Sequence, residues 1–268
     1  MKHNKFDYLK RIVEADIPCL IQGPAGTSKS TTAMQVLEEL GLKLHSITCT
    51  RQTSVNNLLG FLSVTGDYIP SQLRQAFEYG YGFILEEQNA ADPNVLICLN
   101  SMENGFLAFP DKIIYKHKDF RFIATANPND NLYSARNNMD FSVNDRLHHI
   151  NFHPDLELEL ALTSQATANV MQAVREFLSS HGSSIQATMR DAIRVEKLTK
   201  LGFTDPIVTE IFYSDEALGR TFKQEFRKIL EKEELDKLTQ HGMKTYTTFA
   251  DKILKETKWE NYQHLVHS

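Results

Sequence analysis

Eight consecutive residues, Gly23-Pro24-Ala25-Gly26-Thr27-Ser28-Lys29-Ser30, carry the densest chemistry in this chain. They follow a short apolar run, Pro18 to Ile21, and lead through Thr31 into a helical pattern. A strand, a glycine-rich turn and a helix in that order form a phosphate cradle. Backbone N–H groups at the helix N-terminus point at an anion, and the helix dipole favours negative charge there. In such a cradle Lys29 reaches the terminal phosphates and the Ser30 hydroxyl sits on Mg²⁺. One position departs from the G-x-x-x-x-G-K-[ST] pattern, because Ser28 stands where the second glycine is expected. It places a Cβ where close backbone approach is usually wanted. The competing reading is a Gly/Ser-rich turn that merely contains a lysine, and it weakens only if partner groups follow in the right order.

Four further features follow in that order. Glu86 and Glu87 close an apolar run, Gly82 to Leu85, at the end of a strand where α/β sheets place ligands. One carboxylate there can hold Mg²⁺ through its water shell, and the next can orient and deprotonate an attacking water. Phe122 to Ala126 is a second apolar run and ends in Asn127, whose amide can hydrogen-bond a water near a γ-phosphate. Arg146, in Asn144-Asp145-Arg146-Leu147, precedes a short strand. Its guanidinium can neutralise a transferring phosphoryl group, in its own subunit or a neighbour's. Arg136 is a second candidate for that role. Arg190 opens an amphipathic helix with Thr188 ahead of it, and from a lid domain it could reach nucleotide phosphates; Arg194 competes for that role. Each has a plainer alternative: exposed strand-end carboxylates, a turn asparagine before Pro128, a surface ion pair, a solvated helix-face arginine.

The elements that must position these groups are legible from periodicity. Helices are expected over Asn4–Ala15, Thr31–Leu40 (with Gly41 past its end), a stretch capped by Ser71 and stopped at Gly80, and Pro93–Glu103. Strands are expected over Pro18–Gln22, Leu42–Thr48, Gly82–Leu85, Arg121–Ala126 and His149–Phe152. Hairpins are expected around Thr65-Gly66-Asp67 and Pro110-Asp111. Thr53 to Tyr81 reads as less regular, and Asn129 to Asn144 as a polar loop. After Pro154 the pattern is helical only, with breaks at Gly182-Ser183-Ser184, Gly202 and Gly219, and an exposed amphipathic helix from Lys223 to Leu238. Alternating strands and helices followed by helices alone predict an open α/β sheet over residues 1–154 and a separate helical domain over 155–268.

Composition sets outer bounds. With 268 residues, 41% hydrophobic and 24% charged, the chain is of ordinary globular type. A formal charge of -5 argues against a dominant nucleic-acid footprint. Cys19, Cys49 and Cys98 are far apart without C-x-x-C spacing and read as reduced thiols, two of them in apolar runs. No apolar stretch reaches membrane-spanning length, so a cytoplasmic protein is expected.

The ordered set resembles an AAA+ ATPase of the MoxR and dynein-related branch, and is similar to the small ATPase subunit of cobalt chelatase. Gly23 to Ser30, the run Gly82 to Ala90, Ala124 to Pro128 and Asn144 to Leu147 carry the resemblance, which covers roughly Pro18 to Gly202. Asn57-Leu58-Leu59-Gly60 ahead of a hairpin looks like the insertion of that branch. The resemblance implies a P-loop NTPase with a three-layer α/β/α core and a C-terminal helical lid. Lys29 and Ser30 match Walker A, Glu86 and Glu87 Walker B with Glu87 as catalytic glutamate, Asn127 sensor 1, Arg146 the arginine finger and Arg190 sensor 2. Glu86 departs from the usual aspartate. The implied cofactors are ATP and Mg²⁺. The implied assembly is a homo-oligomer, a hexameric ring, that remodels a separate protein client in the manner of a chaperone. Relatives often work with a von Willebrand factor A-type partner, and this chain has no D-x-S-x-S metal motif of its own. Phe61 and Tyr68 are where a client grip is sought, with ordinary hairpin packing as the alternative. Two rival functions remain. A weakly hydrolysing ATP switch would suit Ser28 and Glu86, and a nucleic-acid motor would use Lys112, Lys116, Lys118 and Arg121.

Overall fold

The computed structural model describes residues 1–127, 145–203 and 206–226. The chain divides into two compact units, one of Lys2–Pro154 and one running on from Asp155. The first unit begins with α1 (Phe6–Glu14), β1 (Cys19–Gln22), α2 (Lys29–Glu39), β2 (Leu44–Thr48) and α3 (Val55–Leu59). A hairpin of β3 (Phe61–Leu62) and β4 (Tyr68–Ile69), then α4 (Gln72–Tyr79), β5 (Gly82–Glu86) and α5 (Pro93–Leu96) follow. A second hairpin of β6 (Phe106–Ala108) and β7 (Ile113–Tyr115), then β8 (Arg121–Ala126) and β9 (His148–Asn151), complete it.

Five strands form a parallel sheet in the order β2-β5-β8-β1-β9. Side chains alternate across it with the two-residue period of a strand, so each central strand feeds two cores. Ile21, Ile84, Ile123 and Ile150 face α1 and α2, where they meet Phe6, Leu9, Val36 and Leu37. Leu20, Phe83, Leu85, Phe122 and Ala124 face the other way, toward Leu58 of α3, Leu73 and Phe77 of α4, and the second hairpin. Near-continuous apolar runs are what a parallel sheet covered on both faces requires. The fold is the open α/β sheet that the strand and helix alternation predicts, and the P-loop NTPase α/β fold that the resemblance implies.

Several boundaries differ from the periodicity. Helix α2 starts at Lys29, two residues before Thr31, because Ser28 already turns the chain into the helix. The stretch Pro93–Glu103 is not one α-helix: α5 stops at Leu96 and Ile97–Asn104 winds as 3₁₀, whose pattern of apolar positions is close to that of an α-helix. Within the irregular Thr53–Tyr81 stretch lies α3, held by Ser54, whose N–H and hydroxyl both donate to Asn57 Oδ1 at 2.8 Å. The predicted loop Asn129–Asn144 lies outside the described residues, as does Glu-rich chain beyond 226 from the predicted helix Lys223–Leu238.

The second unit contains α6 (Leu156–Leu162), α7 (Gln165–Ser180), α8 (Met189–Lys200), α9 (Pro206–Glu210) and a helix over 216–226. Val170, Val174 and Phe177 of α7 pack with Ala192 and Val195 of α8 and with Phe212 and Phe222. Gly182 and Gly202 end helices with positive φ, as expected of C′ glycines. Gly219 does not break a helix. It lies within 216–226, where a Cβ would come 2.9 Å from Phe212 Cβ, so the glycine serves close packing there.

Glu196 of α8 joins two helices in this unit. Burial opposes its charge, but hydrogen bonds from Thr167 and Ser164, with Lys200 nearby, outweigh burial and hold the carboxyl down at about 2. A carboxyl depressed in the folded state stabilises it above the ordinary carboxylate range and loses that contribution as pH falls toward 2. Glu196→Gln is therefore expected to lower unfolding free energy at pH 7 by about 2 kcal/mol. The gap from wild type should narrow between pH 5 and pH 2, as measured by urea unfolding at both ends.

Candidate nucleotide site

The site is built at the C-terminal ends of β1, β5 and β8, where open parallel sheets bind ligands. Between β1 and α2 the chain turns through Gly26 at φ 74° and Ser28 at φ 62°. Ser28 is left-handed (ψ 23°) and makes no side-chain cap bond, so the position does have the geometry that favours glycine. Gly23 is required for another reason: a Cβ there would lie 2.3 Å from the Phe152 carbonyl oxygen, just past β9. Phe152 N–H in turn donates to Gln22 O, so the last strand holds the floor of the loop. Pro24, Ala25 and Thr27 complete the turn, with Thr27 Oγ1 donating to Pro24 O at 2.9 Å. Thr32 N–H donates to Ser28 O, which places Lys29, Ser30 and Thr31 in the first turn of α2.

Four of the predicted site residues meet through two direct bonds. Lys29 Nζ donates to Gly23 O and Pro24 O, both at 2.7 Å, and to Asn127 Oδ1 at 2.8 Å. Ser30 Oγ donates to Glu86 Oε2 at 2.6 Å. The ammonium is thereby held at the mouth of the loop, and the serine and first glutamate are brought together as a pair of oxygen donors. Such hard oxygen ligands fit Mg²⁺, and this pair can hold it.

Glu87 follows directly at φ 51°, ψ 42°, one of three non-glycine residues with positive φ among those described. Its N–H donates to Thr125 Oγ1 at 3.1 Å. Asn89, two residues on, donates from Nδ2 to Asn127 O at 2.9 Å. Thr125 and Asn89 were not singled out from the sequence. The available signal was one hydroxyl inside the apolar run of β8, and a buried amide in the turn after the two glutamates. Cys49, beside β5, donates its N–H to Glu86 O. Burial, and then the charge of Glu87, push its thiol up to about 12, which disfavours the reactive thiolate.

The arginines are placed elsewhere. Arg146 Nε donates to Glu103 Oε2 at 2.8 Å on the surface of the first unit. Arg190 is exposed in the first turn of α8, and Arg194 on the same helix is bound to Glu210 at 2.7 Å. Arg136 lies outside the described residues. The basic cluster near the second hairpin is largely paired with acids: Lys116 and Arg121 with Asp16 at 2.6 and 3.7 Å, and Lys112 with Glu78 at 3.7 Å.

A cradle of this form, with a lysine, a serine–carboxylate pair and an amide converging on it, defines a P-loop nucleotide-binding domain. Residues 18–147 match the family model of the AAA domain (dynein-related subfamily). Gas vesicle ATPase GvpN of Ancylobacter aquaticus is 26% identical, covering 74% of this chain and 65% of its own length. Midasin of Dictyostelium discoideum is 27% identical over 59% of this chain and 3% of its own. The chain thus spans just under two thirds of the first relative and a small part of the second. NtrX from Brucella abortus shares the fold, with a TM-score of 0.53 at 14% identity over 72% of this chain and 48% of that one. Its ADP complex gives 0.50 at 15%, over 73% and 49%.

Two substitutions test the loop. Ser28→Gly should raise unfolding free energy by about 0.5–1 kcal/mol by relieving the left-handed conformation. Gly23→Ala should lower it by at least about 1–3 kcal/mol through overpacking against Phe152. Chemical denaturation of the two variants beside the wild type reads both.

Proposed function

We propose that the chain binds ATP with Mg²⁺ and hydrolyses it, and that it works as a ring that remodels a separate protein client. The observation that carries this reading is the convergence of Lys29, Asn127, Ser30 and Glu86 through bonds of 2.6–2.8 Å at three neighbouring strand ends. In the proposed cycle, Lys29 exchanges the Gly23 and Pro24 carbonyls for β- and γ-phosphate oxygens, and the first-turn N–H groups of α2 complete the cradle. Ser30 and Glu86 would hold Mg²⁺, which would supply charge neutralisation on the phosphates. Glu87 accepts the proton of the attacking water while the Asn127 amide orients that water. Arg146 comes from the adjacent subunit to the transferring phosphoryl group, and its location on the surface ion pair with Glu103 suits a group that acts outside its own protomer. Arg190 is the phosphate-sensing arginine of the helical unit; of the two candidates on α8, Arg194 is already engaged by Glu210.

The client-facing part of this proposal rests on the first hairpin. Phe61, Leu62, Val64 and Ile69 are exposed, which suits contact with a partner protein. Tyr68 is the less apt of the two aromatics, because its hydroxyl donates to Leu59 O at 2.6 Å and Arg74 lies over its ring. The ring is read as a hexamer and its client as a protein of von Willebrand factor A type, as the family resemblance suggests, and its compartment as the cytoplasm, as the sequence composition suggests. Among the described residues no helix is long and apolar enough to cross a membrane. The pairing of Lys112, Lys116 and Arg121 with acids supports a protein client over nucleic acid.

Lys29→Ala should abolish ATP binding, and Glu87→Gln should keep binding while stalling hydrolysis. The decisive measurement is ATPase rate per subunit against protein concentration. The wild-type rate should rise with concentration, and Arg146→Ala should bind ATP yet lose turnover by about 10³-fold or more. A wild-type rate per subunit that stays constant over the range would remove the arginine in trans, and binding without turnover at any concentration would make the weakly hydrolysing switch the better reading.

A further inference from the structure

We propose that Thr125 is a positioning residue for hydrolysis, which fixes Glu87 in its reactive direction through the Glu87 N–H. The inference rests on the reading of Glu87 as the group that takes the water's proton. The parallel pairing of β5 with β8 runs to Leu85 opposite Ala124. Beyond it, β5 departs from the extended conformation, and Glu87 enters the left-handed region at φ 51°, ψ 42°. A glutamate gains nothing from that region in local terms, because its Cβ crowds the following carbonyl. Such a conformation persists when surrounding contacts over-determine it.

Thr125 supplies one such contact. It is 2% exposed, and its Oγ1 accepts the Glu87 N–H at 3.1 Å. As a β-branched residue in a strand it has few side-chain rotamers, so the acceptor stays in place. The same turn is tied a second time, by Asn89 Nδ2 to Asn127 O at 2.9 Å. Asn127 in turn accepts from Lys29 through Oδ1. The backbone that carries the Glu87 side chain is thereby fixed relative to the Asn127 amide and the Lys29 ammonium. Every other residue of β8 from Phe122 to Ala126 is apolar, so the threonine hydroxyl is not needed for strand packing. Valine would fill the same space and withdraw only the acceptor.

The test compares Thr125→Val, Thr125→Ser and Glu87→Gln in the full chain, at a concentration where wild-type turnover per subunit is saturated. ATP affinity is read from a fluorescent ATP analogue and kcat from phosphate release. Thr125→Val should lose about 10- to 100-fold in kcat, the scale of a misplaced catalytic group, with nucleotide Kd within about threefold of wild type. Thr125→Ser, which keeps the hydroxyl, should recover most of the rate. Should the valine variant fail to fold, Thr125→Cys, similar in size and a weak acceptor, is measured in its place and should show the same split. Wild-type kcat in Thr125→Val with a stalled Glu87→Gln would overturn the positioning role alone. Parallel losses of kcat, affinity and melting temperature in both Val and Ser variants would overturn it in favour of simple packing. An active Glu87→Gln would overturn the reading of Glu87 itself, and the inference with it.

Discussion

The site depends on one topological fact, that β8 lies between β1 and β5. Without that strand the phosphate loop and the two glutamates would sit on adjacent strands, with nothing between them to carry an amide. With it, Gln22 stands opposite Ala126 and Leu85 opposite Ala124, so the ends of all three strands are in register. Asn127 then falls beside Lys29, and Thr125 beside Glu87. The bonds at 2.8 and 3.1 Å follow from strand geometry once the residues at those positions are polar. A buried strand that is apolar from Phe122 to Ala126 except at Thr125 can position groups without giving up its packing on either face.

Much of this was legible in the sequence because it depends on short-range pattern. The turn from Gly23 to Ser30, the two-residue alternation of the central strands and the carboxylates closing β5 are local signals. The end of α4 at Gly80 and both hairpins were local too. What remained hidden was either non-local or degenerate. Thr125 acts across strands, and no spacing along the chain links it to Glu87. Gly219 is a packing glycine whose reason is Phe212, a neighbour that only the folded unit supplies. The 3₁₀ winding of Ile97–Asn104 imitates an α-helix, since its apolar positions suit either period over two turns. Helix α3 is too short for periodicity and is fixed by the bonds between Ser54 and Asn57.

The two departures from the usual motif behave differently in the structure. Ser28 sits in a left-handed conformation that costs an L-residue roughly 1–2 kcal/mol. The loop nevertheless reaches the helix one residue later, with Lys29 and Ser30 in the first turn, so the cost falls on stability while the cradle keeps its form. Glu86 is longer than the aspartate usual at this position, and the added methylene is taken up within the site, since its carboxylate meets Ser30 Oγ at 2.6 Å. The pair is brought together in spite of the longer side chain.

The placement of Arg146 suits the proposed assembly-dependent site. Its guanidinium and the Glu103 carboxylate are partly exposed, at 36% and 60%. Exposed pairs of this kind contribute about 0–1 kcal/mol, because solvent screens them and both side chains lose freedom in forming them. Transfer of the arginine to a phosphate in a drier interface therefore forfeits little, and charge-assisted bonds to phosphate are stronger than the one given up. Lys29 is arranged in the opposite way, held by two loop carbonyls and Asn127 inside the site. The lysine is thus prepared within its own protomer, whereas the arginine is kept at the surface by a bond weak enough to be exchanged. Under the proposed function, such an arrangement would let the chain bind nucleotide alone and reserve rapid hydrolysis for contact with a neighbour.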